Sequence, residues 1–338
     1  HLGHTVTMRK LRQFQELGHE VTFLIGTYTS LIGDPSDQDK LRPQLTPEEA
    51  AENARTYAEQ AFQILDRRRT IIRFNAEWLS ALSFAGLIRL ASNFSIQQFL
   101  TREAFKQRWE RGDPLYLHEM FYSLMQGYDA FCLNADVQVG GTDQLFNIVT
   151  ASRKIMSCLG ARPNIAVILG ILPGTDGVVK MSKSLGNHIP INTTPEDMYG
   201  KVMSIPDSAM PSYARLVTRW TPSQIAALES SLAEGRLHPR DAKMTLAREI
   251  VGCFYGDEAA EEAQQQFVRT FQLHQLPQTL AEIAVSAEQS VLEILMLSGL
   301  AATRSEGRRL IEQKGVRLDG QVLSDAHGRL PHPGVLQV

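Results

Sequence analysis

The sequence predicts an α/β protein: a doubly wound parallel sheet, then an α-helical segment, then a small α+β unit at the C-terminal end. Three observations predict it. Short apolar runs at 20–25, 71–74, 136–140 and 165–170 alternate with helical periodicity, and three of them lead into glycine-containing loops. From Thr194 onward strand signals stop, and helix starts marked by Thr, Pro or Asp recur near 195, 222, 239 and 258. Near the end, two short helical patterns precede Asp319-Gly320, which sits between apolar runs as a type I′ hairpin signal does.

Length and composition set the bounds. A chain of 338 residues has room for a core domain and one or two smaller ones. Hydrophobic residues make up 43% and charged residues 21%, which describes a globular protein with ample core. No apolar run approaches the roughly 18 residues of a membrane span and no signal peptide is evident, so a cytoplasmic protein without membrane contact is expected. Cys132, Cys158 and Cys253 are isolated, which favours buried thiols in a reducing compartment over a bound metal or disulfides. The net charge of −3 excludes a globally basic nucleic-acid binder, so RNA contact must be local. Arg304, Arg308, Arg309, Lys314 and Arg317 outnumber Glu306 and Glu312 and form the candidate patch. Position 1 is histidine rather than methionine, and Gly334–Val338 reads as an unfinished strand; the expectation is a piece of a longer protein.

Taken in order, Val6, Leu11, Phe14 and Leu17 predict a helix over 5–17, stopped by Gly18. Residues 20–25 read as a buried strand entering Gly26. His1-Leu2-Gly3-His4 stands at the start of that helix, where free N–H groups favour phosphate and Gly3 admits close approach. Thr46-Pro47-Glu48-Glu49 opens an amphipathic helix over 47–65. Residues 77–110 read as largely helical, an insertion between two halves of the sheet. In the helix expected over 117–131, Tyr122, Gln126 and Asp129 share one face, which is either a pocket wall or a solvated stripe. The strand 136–140 opens into Gly141-Thr142-Asp143-Gln144, where Asp143 is suited to accept from ribose hydroxyls.

The loop 178–187 brings Lys180 and Lys183 together between Gly177 and Gly186. Two ammonium groups on a glycine-flanked loop suit a phosphoryl transition state, which needs positioned positive charge. A bare pair of lysines at this spacing equally describes a solvated turn. Downstream, helices are expected over 195–203, 222–233, 239–255 and 258–271, then a linker, then a helix over 290–300. Thr303 and Glu306 form a capping box for the helix that carries Arg308 and Arg309.

The pentamer Lys180-Met181-Ser182-Lys183-Ser184 resembles the second signature of class I aminoacyl-tRNA synthetases, and His1–His4 resembles the first. With Ile32–Ser36, Asn75–Trp78, Tyr122–Asp129, Gly140–Gln144 and Pro239–Lys243, the chain resembles bacterial tyrosyl-tRNA synthetases nearly end to end. The resemblance is to the branch that carries Lys-Met-Ser-Lys-Ser, and 290–338 resembles an S4-type RNA-binding domain. It implies a Rossmann-like catalytic domain over 1–190 with a helical insertion at about 77–128. An anticodon-arm helical domain over 191–272, a linker over 273–289 and an incomplete S4-like domain over 290–338 would follow.

The implied activity is tyrosine–tRNA ligation, with ATP and its Mg²⁺ as substrate, no protein-bound metal, tRNA(Tyr) as acceptor, and a homodimer with Leu117–Phe121 near its interface. His1, His4, Lys180 and Lys183 would bind the phosphates and Arg42 the pyrophosphate; Gly3, Gly141, Asp143, Met181 and Ser182 would complete the ATP site. Thr29, Asp34, Tyr122, Gln126 and Gln144 would surround the tyrosine, and Asp129 would accept from its phenol. Three departures stand out. A central strand expected before His1 is not in the sequence, Asp37 and Gln38 replace a glycine and a basic residue, and Ser123 and Gly127 replace proline and alanine. The alternatives are a tryptophanyl-tRNA synthetase, disfavoured by Asp129 and the S4-like tail, and a catalytically silent tRNA-binding fragment.

Overall fold

The first part of the chain is carried by four parallel strands of five residues each. β1 (Val21–Ile25) pairs with β2 (Thr70–Phe74), Val21 opposite Thr70, and β3 (Val137–Gly141) pairs with β4 (Ile165–Leu169), Val137 opposite Ile165. The computed structural model describes residues 1–35, 56–272, 282–286 and 288–338. Arg42, the Asp37–Gln38 pair, the first part of the helix expected over 47–65 and most of the 273–289 linker lie outside the described residues.

The parallel strands expected from sequence are present and pair in two halves. Among the described residues β1 and β3 are hydrogen-bonded on one edge only, and residues of both line the same cavity. Parallel pairing needs helical crossovers. That from β3 to β4 runs through 146–152, wound in π-helical turns, and an α-helix over Arg153–Cys158. The crossover helix therefore begins with wider turns, for which apolar spacing carries no signal. It packs closely on helix Leu117–Cys132. A Cβ at Gly127 would fall 2.6 Å from Ile155 Cδ1 and 3.2 Å from the Ala151 carbonyl oxygen, so this approach depends on the glycine.

Helix Leu2–Glu16 ends where the Gly18 and His19 N–H groups donate to the Gln15 and Phe14 carbonyls. Gln15, fully buried on its last turn, donates to the Arg69 carbonyl at 3.0 Å and accepts from the Asp66 N–H, so the helix is tied to the entry of β2. The insertion holds helices Phe84–Ala91, Ile96–Phe99 and Glu103–Arg111. Its Arg108 makes an ion pair of 2.5 Å with Glu119, with both side chains at most 5% exposed. Removing one member of such a pair costs about 3–5 kcal/mol, because the other charge stays buried alone.

Beyond the lysine loop the chain is helical: Pro195–Met203, Met210–Val217, Pro222–Ala233, Pro239–Tyr255 and Asp257–Phe267. Thr194 and Thr221 cap their helices by accepting from the Asp197 and Gln224 N–H groups. Helix Met210–Val217 was not among the expected helices; its Pro211 falls in the first turn, where no N–H is needed. The helix expected to reach 271 ends its α-turns at Phe267 and continues in π-helical turns over Val268–Gln272. Leu2, Val6, Leu172, Met181, Ile189, Tyr199, Tyr213 and Ile250 belong to one buried cluster. The first helix, the lysine loop and the helical run thus share a core. No helix among the described residues is long and apolar enough to cross a membrane.

The chain divides into two compact units, His1–Gln275 and Leu276–Val338. In the second, helices Val291–Leu297 and Arg304–Glu312 pack on a three-stranded antiparallel sheet. β5 (Arg317–Leu318) lies between β6 (Gln321–Val322) and β7 (Leu336–Gln337). Asp319 and Gly320 have φ of +47° and +82°, as a type I′ turn requires.

Candidate active site

A cavity of about 1000 Å³ runs between β1 and β3, along Val21–Leu24 and Val137–Val139, and reaches the carboxyl ends of the strands. Each neighbouring element contributes to its wall: His4 from the first helix, Gly26, Thr29 and Asp34 after β1, Asn75 after β2, and Gln144 after β3. Tyr122, Gln126 and Asp129 also line it, so the helical stripe faces a pocket rather than solvent. The Gln126 Oε1 atom is buried and has no hydrogen-bond partner among the described residues, which leaves an acceptor for a ligand.

Asp129 is 3% exposed and is held from two sides. Trp78 Nε1 donates to Oδ1 at 2.7 Å, and Asn75 Nδ2 donates to Oδ2 at 3.2 Å and lies 3.1 Å from Thr29 Oγ1. Burial pushes the carboxyl up to about 6, and the two donors oppose that rise without cancelling it. In the sequence Asn75–Trp78 stands out only as a resemblance block, without this clamping role. The available signal was an Asn and a Trp three apart, just beyond a strand.

The two signatures meet in space. The Leu2 N–H donates to the Ile189 carbonyl at 2.9 Å, and Leu2, Met181 and Ile189 are all buried. The His1 and His4 rings stack at 3.8 Å, and His188, passed over in the sequence, lies 6.1 Å from His1. His4 is pushed down to about 4, by desolvation first, then by the terminal ammonium and Lys180, so it is a neutral hydrogen-bonding ring at pH 7. Gly3 lies beside Met181: a Cβ there would be 3.5 Å from Met181 Cβ and 3.1 Å from the His1 ring.

Lys180 Nζ donates to Asp143 Oδ2 at 2.8 Å, which joins the lysine loop to the loop after β3. A Cβ at Gly141 would collide with Asp143 Oδ1, so the glycine lets that carboxylate fold back beside the strand end. Lys183 is exposed on the same loop. The loop has an internal clasp. Asn187 Nδ2 donates to Asp176, Asn187 Oδ1 accepts from the Ser182 N–H at 2.8 Å, and Asp176 Oδ1 accepts from the Val178 and Val179 N–H groups. These donors hold the Asp176 carboxyl below its usual range. Met181 directs its side chain into the core and spends its N–H on the Leu172 carbonyl at 3.1 Å. In the second unit, Arg304, Arg308, Arg309, Lys314 and Arg317 are all exposed.

Comparison with known proteins follows the same outline. The family model for class I tRNA synthetases (W and Y) matches residues 1–272, and the S4 domain model matches 292–332. A tyrosine–tRNA ligase from Thermotoga maritima is 46% identical over 96% of this chain and 81% of its own length. One from Moorella thermoacetica is 48% identical over 96% and 79%. The chain belongs to the tyrosine–tRNA ligase family. The fold agrees: a C-terminally truncated Aspergillus nidulans mitochondrial tyrosyl-tRNA synthetase superposes with a TM-score of 0.62 at 24% identity, covering 80% of this chain and 82% of that one. A tyrosyl-tRNA synthetase of Archaeoglobus fulgidus, complexed with L-tyrosine, gives 0.60 at 23% identity over 78% and 86%. Relatives at 46% and 48% identity that are tyrosine–tRNA ligases do not favour a tryptophanyl-tRNA synthetase.

The raised Asp129 gives a pH test. Its folded value of about 6 exceeds the ordinary carboxyl value of 3.8, so this group's contribution to stability is fully present below about pH 4 and is lost as pH rises through 6. Between pH 4.5 and 7.5 the wild-type chain should lose about 2 kcal/mol of stability relative to Asp129→Asn. Urea unfolding of both proteins at pH 4.5 and 7.5 reads the difference; parallel pH dependence would show that Asp129 titrates normally.

Proposed function

We propose that this site activates L-tyrosine with ATP to tyrosyl-adenylate and pyrophosphate, then transfers tyrosine to the 3′-terminal adenosine of tRNA(Tyr). The observation that carries the reading is Asp129, a buried carboxylate in the same pocket wall as Gln126 and Tyr122. A phenol hydroxyl entering there meets a ready acceptor. Phenylalanine would leave that acceptor desolvated and unpaired, a form of rejection for which tyrosine-activating enzymes are themselves the standard example. Thr29, Asp34 and Gln144 line the same cavity, and Asp34 with Gln126 Oε1 supplies acceptors suited to the substrate ammonium.

The nucleotide belongs at the paired signatures. His1 and His4, with Gly3 between them, lie at a helix N-terminus, where N–H groups and neutral imidazoles suit phosphate oxygens. Lys180 and Lys183 supply positive charge to the α-phosphate as the tyrosine carboxylate attacks it. Asp143 and Gly141 lie against the ribose, the Ser182 segment along the nucleotide, and Mg²⁺ arrives as part of the ATP substrate. Arg42 is proposed on resemblance as the pyrophosphate contact. No acid or base is required, because charge and positioning lower the barrier.

ATP–pyrophosphate exchange with tyrosine, tryptophan and phenylalanine in parallel tests this. Exchange is expected with tyrosine alone, and Lys180→Ala and Lys183→Ala should each lower kcat about 100-fold with little change in tyrosine KM. Tryptophan-driven exchange would overturn the pocket assignment, and no exchange with any amino acid would favour a silent tRNA-binding protein.

The S4 region is proposed to contact tRNA through Arg304, Arg308, Arg309, Lys314 and Arg317. Each of the five replaced by alanine should weaken tRNA binding and reduce the slope of log K against log salt by about 1. Unchanged slopes, measured by filter binding across salt concentrations, would remove the patch from the interface.

A homodimer is proposed through the insertion and the helix start that follows it. Phe84, Ile88, Ile96, Trp109 and Leu117 are exposed there, Phe84 at 78% and Leu117 at 68%. Sedimentation should find a dimer that Leu117→Asp dissociates; a monomeric wild-type chain at micromolar concentration would refute it.

A further inference from the structure

Behind Asp34 and Gln144 lies a closed circuit of side chains drawn from four segments. Arg102 Nη1 donates to Ser123 Oγ at 3.0 Å, and Ser123 Oγ donates to Asn147 Oδ1 at 2.8 Å. Asn147 Nδ2 donates to Gln144 Oε1 at 2.9 Å, and Gln144 Nε2 donates to Asp34 Oδ2 at 2.7 Å. Asp34 Oδ1 returns the circuit to Arg102 Nη2 at 4.0 Å. Asp34 and Gln144 line the cavity, whereas Arg102, Ser123 and Asn147 are buried at 6%, 0% and 0% exposure.

The direction of this circuit is forced. Arginine has only donors and an ionised aspartate only acceptors, so the chain of bonds must start at Arg102 and end at Asp34. Turning Gln144 around would set acceptor against acceptor at Asp34 and donor against donor at Asn147, and turning Asn147 around would set acceptor against acceptor at Gln144. The circuit therefore fixes which edge of Gln144 meets Asp34: the amide NH₂. One of its two hydrogens is spent on the carboxylate. The cavity wall thus carries an N–H donor and a carboxylate acceptor side by side, which matches the carboxylate and ammonium of an α-amino acid. The guanidinium that anchors the circuit lies over the Phe105 ring at 4.5 Å and the Phe146 ring at 5.5 Å, which keeps it in place.

We infer that Arg102, Ser123 and Asn147 are positioning residues for the charged end of the amino-acid substrate, acting through the orientation of Gln144 and Asp34. This rests on the proposed reading of the cavity as the amino-acid site. Ser123 then has a function that sequence alone would pass over as a tolerated small residue.

The test is equilibrium dialysis of the full chain with labelled L-tyrosine, competition by tyramine, which lacks the carboxylate, and separate measurement of ATP binding. Ser123→Ala should weaken tyrosine about fivefold while leaving tyramine and ATP within about twofold. Arg102→Met should weaken tyrosine more than tenfold, and Arg102→Lys, which keeps the charge but not the planar fork, should fall between. Equal losses for tyrosine, tyramine and ATP, accompanied by a lower Tm, would reduce the circuit to a folding element and overturn the inference. Asp34→Asn separates the two levels. If it weakens tyrosine while Ser123→Ala and Arg102→Met do not, only the positioning role fails; if Asp34→Asn leaves tyrosine binding unchanged, the reading of the cavity fails with it.

Discussion

One backbone hydrogen bond sets the geometry on which the site depends: Leu2 N–H to the Ile189 carbonyl. It joins the first turn of the first helix to the chain just past the lysine loop. Leu2 and Ile189, both fully buried, belong to the core shared with the helices after Pro195. The lysine loop is anchored at its ends. Here the roots are packed and hydrogen-bonded, Tyr213 donating to the Pro173 carbonyl at 3.0 Å, while Lys183 and Leu185 remain exposed between them. The histidines and lysines are brought together by a hydrophobic core that belongs to neither.

The cavity is governed by a second constraint, the cost of burying polar atoms. Asp129 meets it with Trp78 and Asn75, and Asp34 with Gln144 and Arg102. In each case a carboxylate is held by donors from other segments, so its direction is set before any ligand arrives. Preorganisation of this kind turns a polar cavity into a selective one, because a ligand of the wrong polarity cannot recruit these groups without breaking bonds already made.

Much of this was legible in the sequence where local rules dominate. The 3.6-residue period placed Tyr122, Gln126 and Asp129 on one face, and the loops after β1 and β3 carry Asp34 and Gln144 to the cavity. Asp319-Gly320 announced its hairpin because only a few residues accept positive φ in succession. What stayed hidden depends on contacts between distant segments. Trp78 and Asp129 are 51 residues apart, and Arg102 reaches Ser123 across 21. Neither pair leaves a periodic trace. The π-helical turns at 146–152 have an ordinary helical composition, and helix Met210–Val217 carries a proline in its first turn.

The Lys180–Asp143 contact has a consequence for how the nucleotide enters. The two charges already pair with each other, Asp143 largely buried and Lys180 still 40% exposed. In the proposed reaction ATP brings a hydroxylated ribose for the aspartate and a polyanion for the lysine, so its arrival is an exchange of partners. For Asp143, at 14% exposure, most of the cost of leaving water has been met during folding. The loop is also held on Asp143, the residue proposed to meet the sugar. The aspartate thus occupies the lysine's charge at the point where the proposed reaction would bring phosphate.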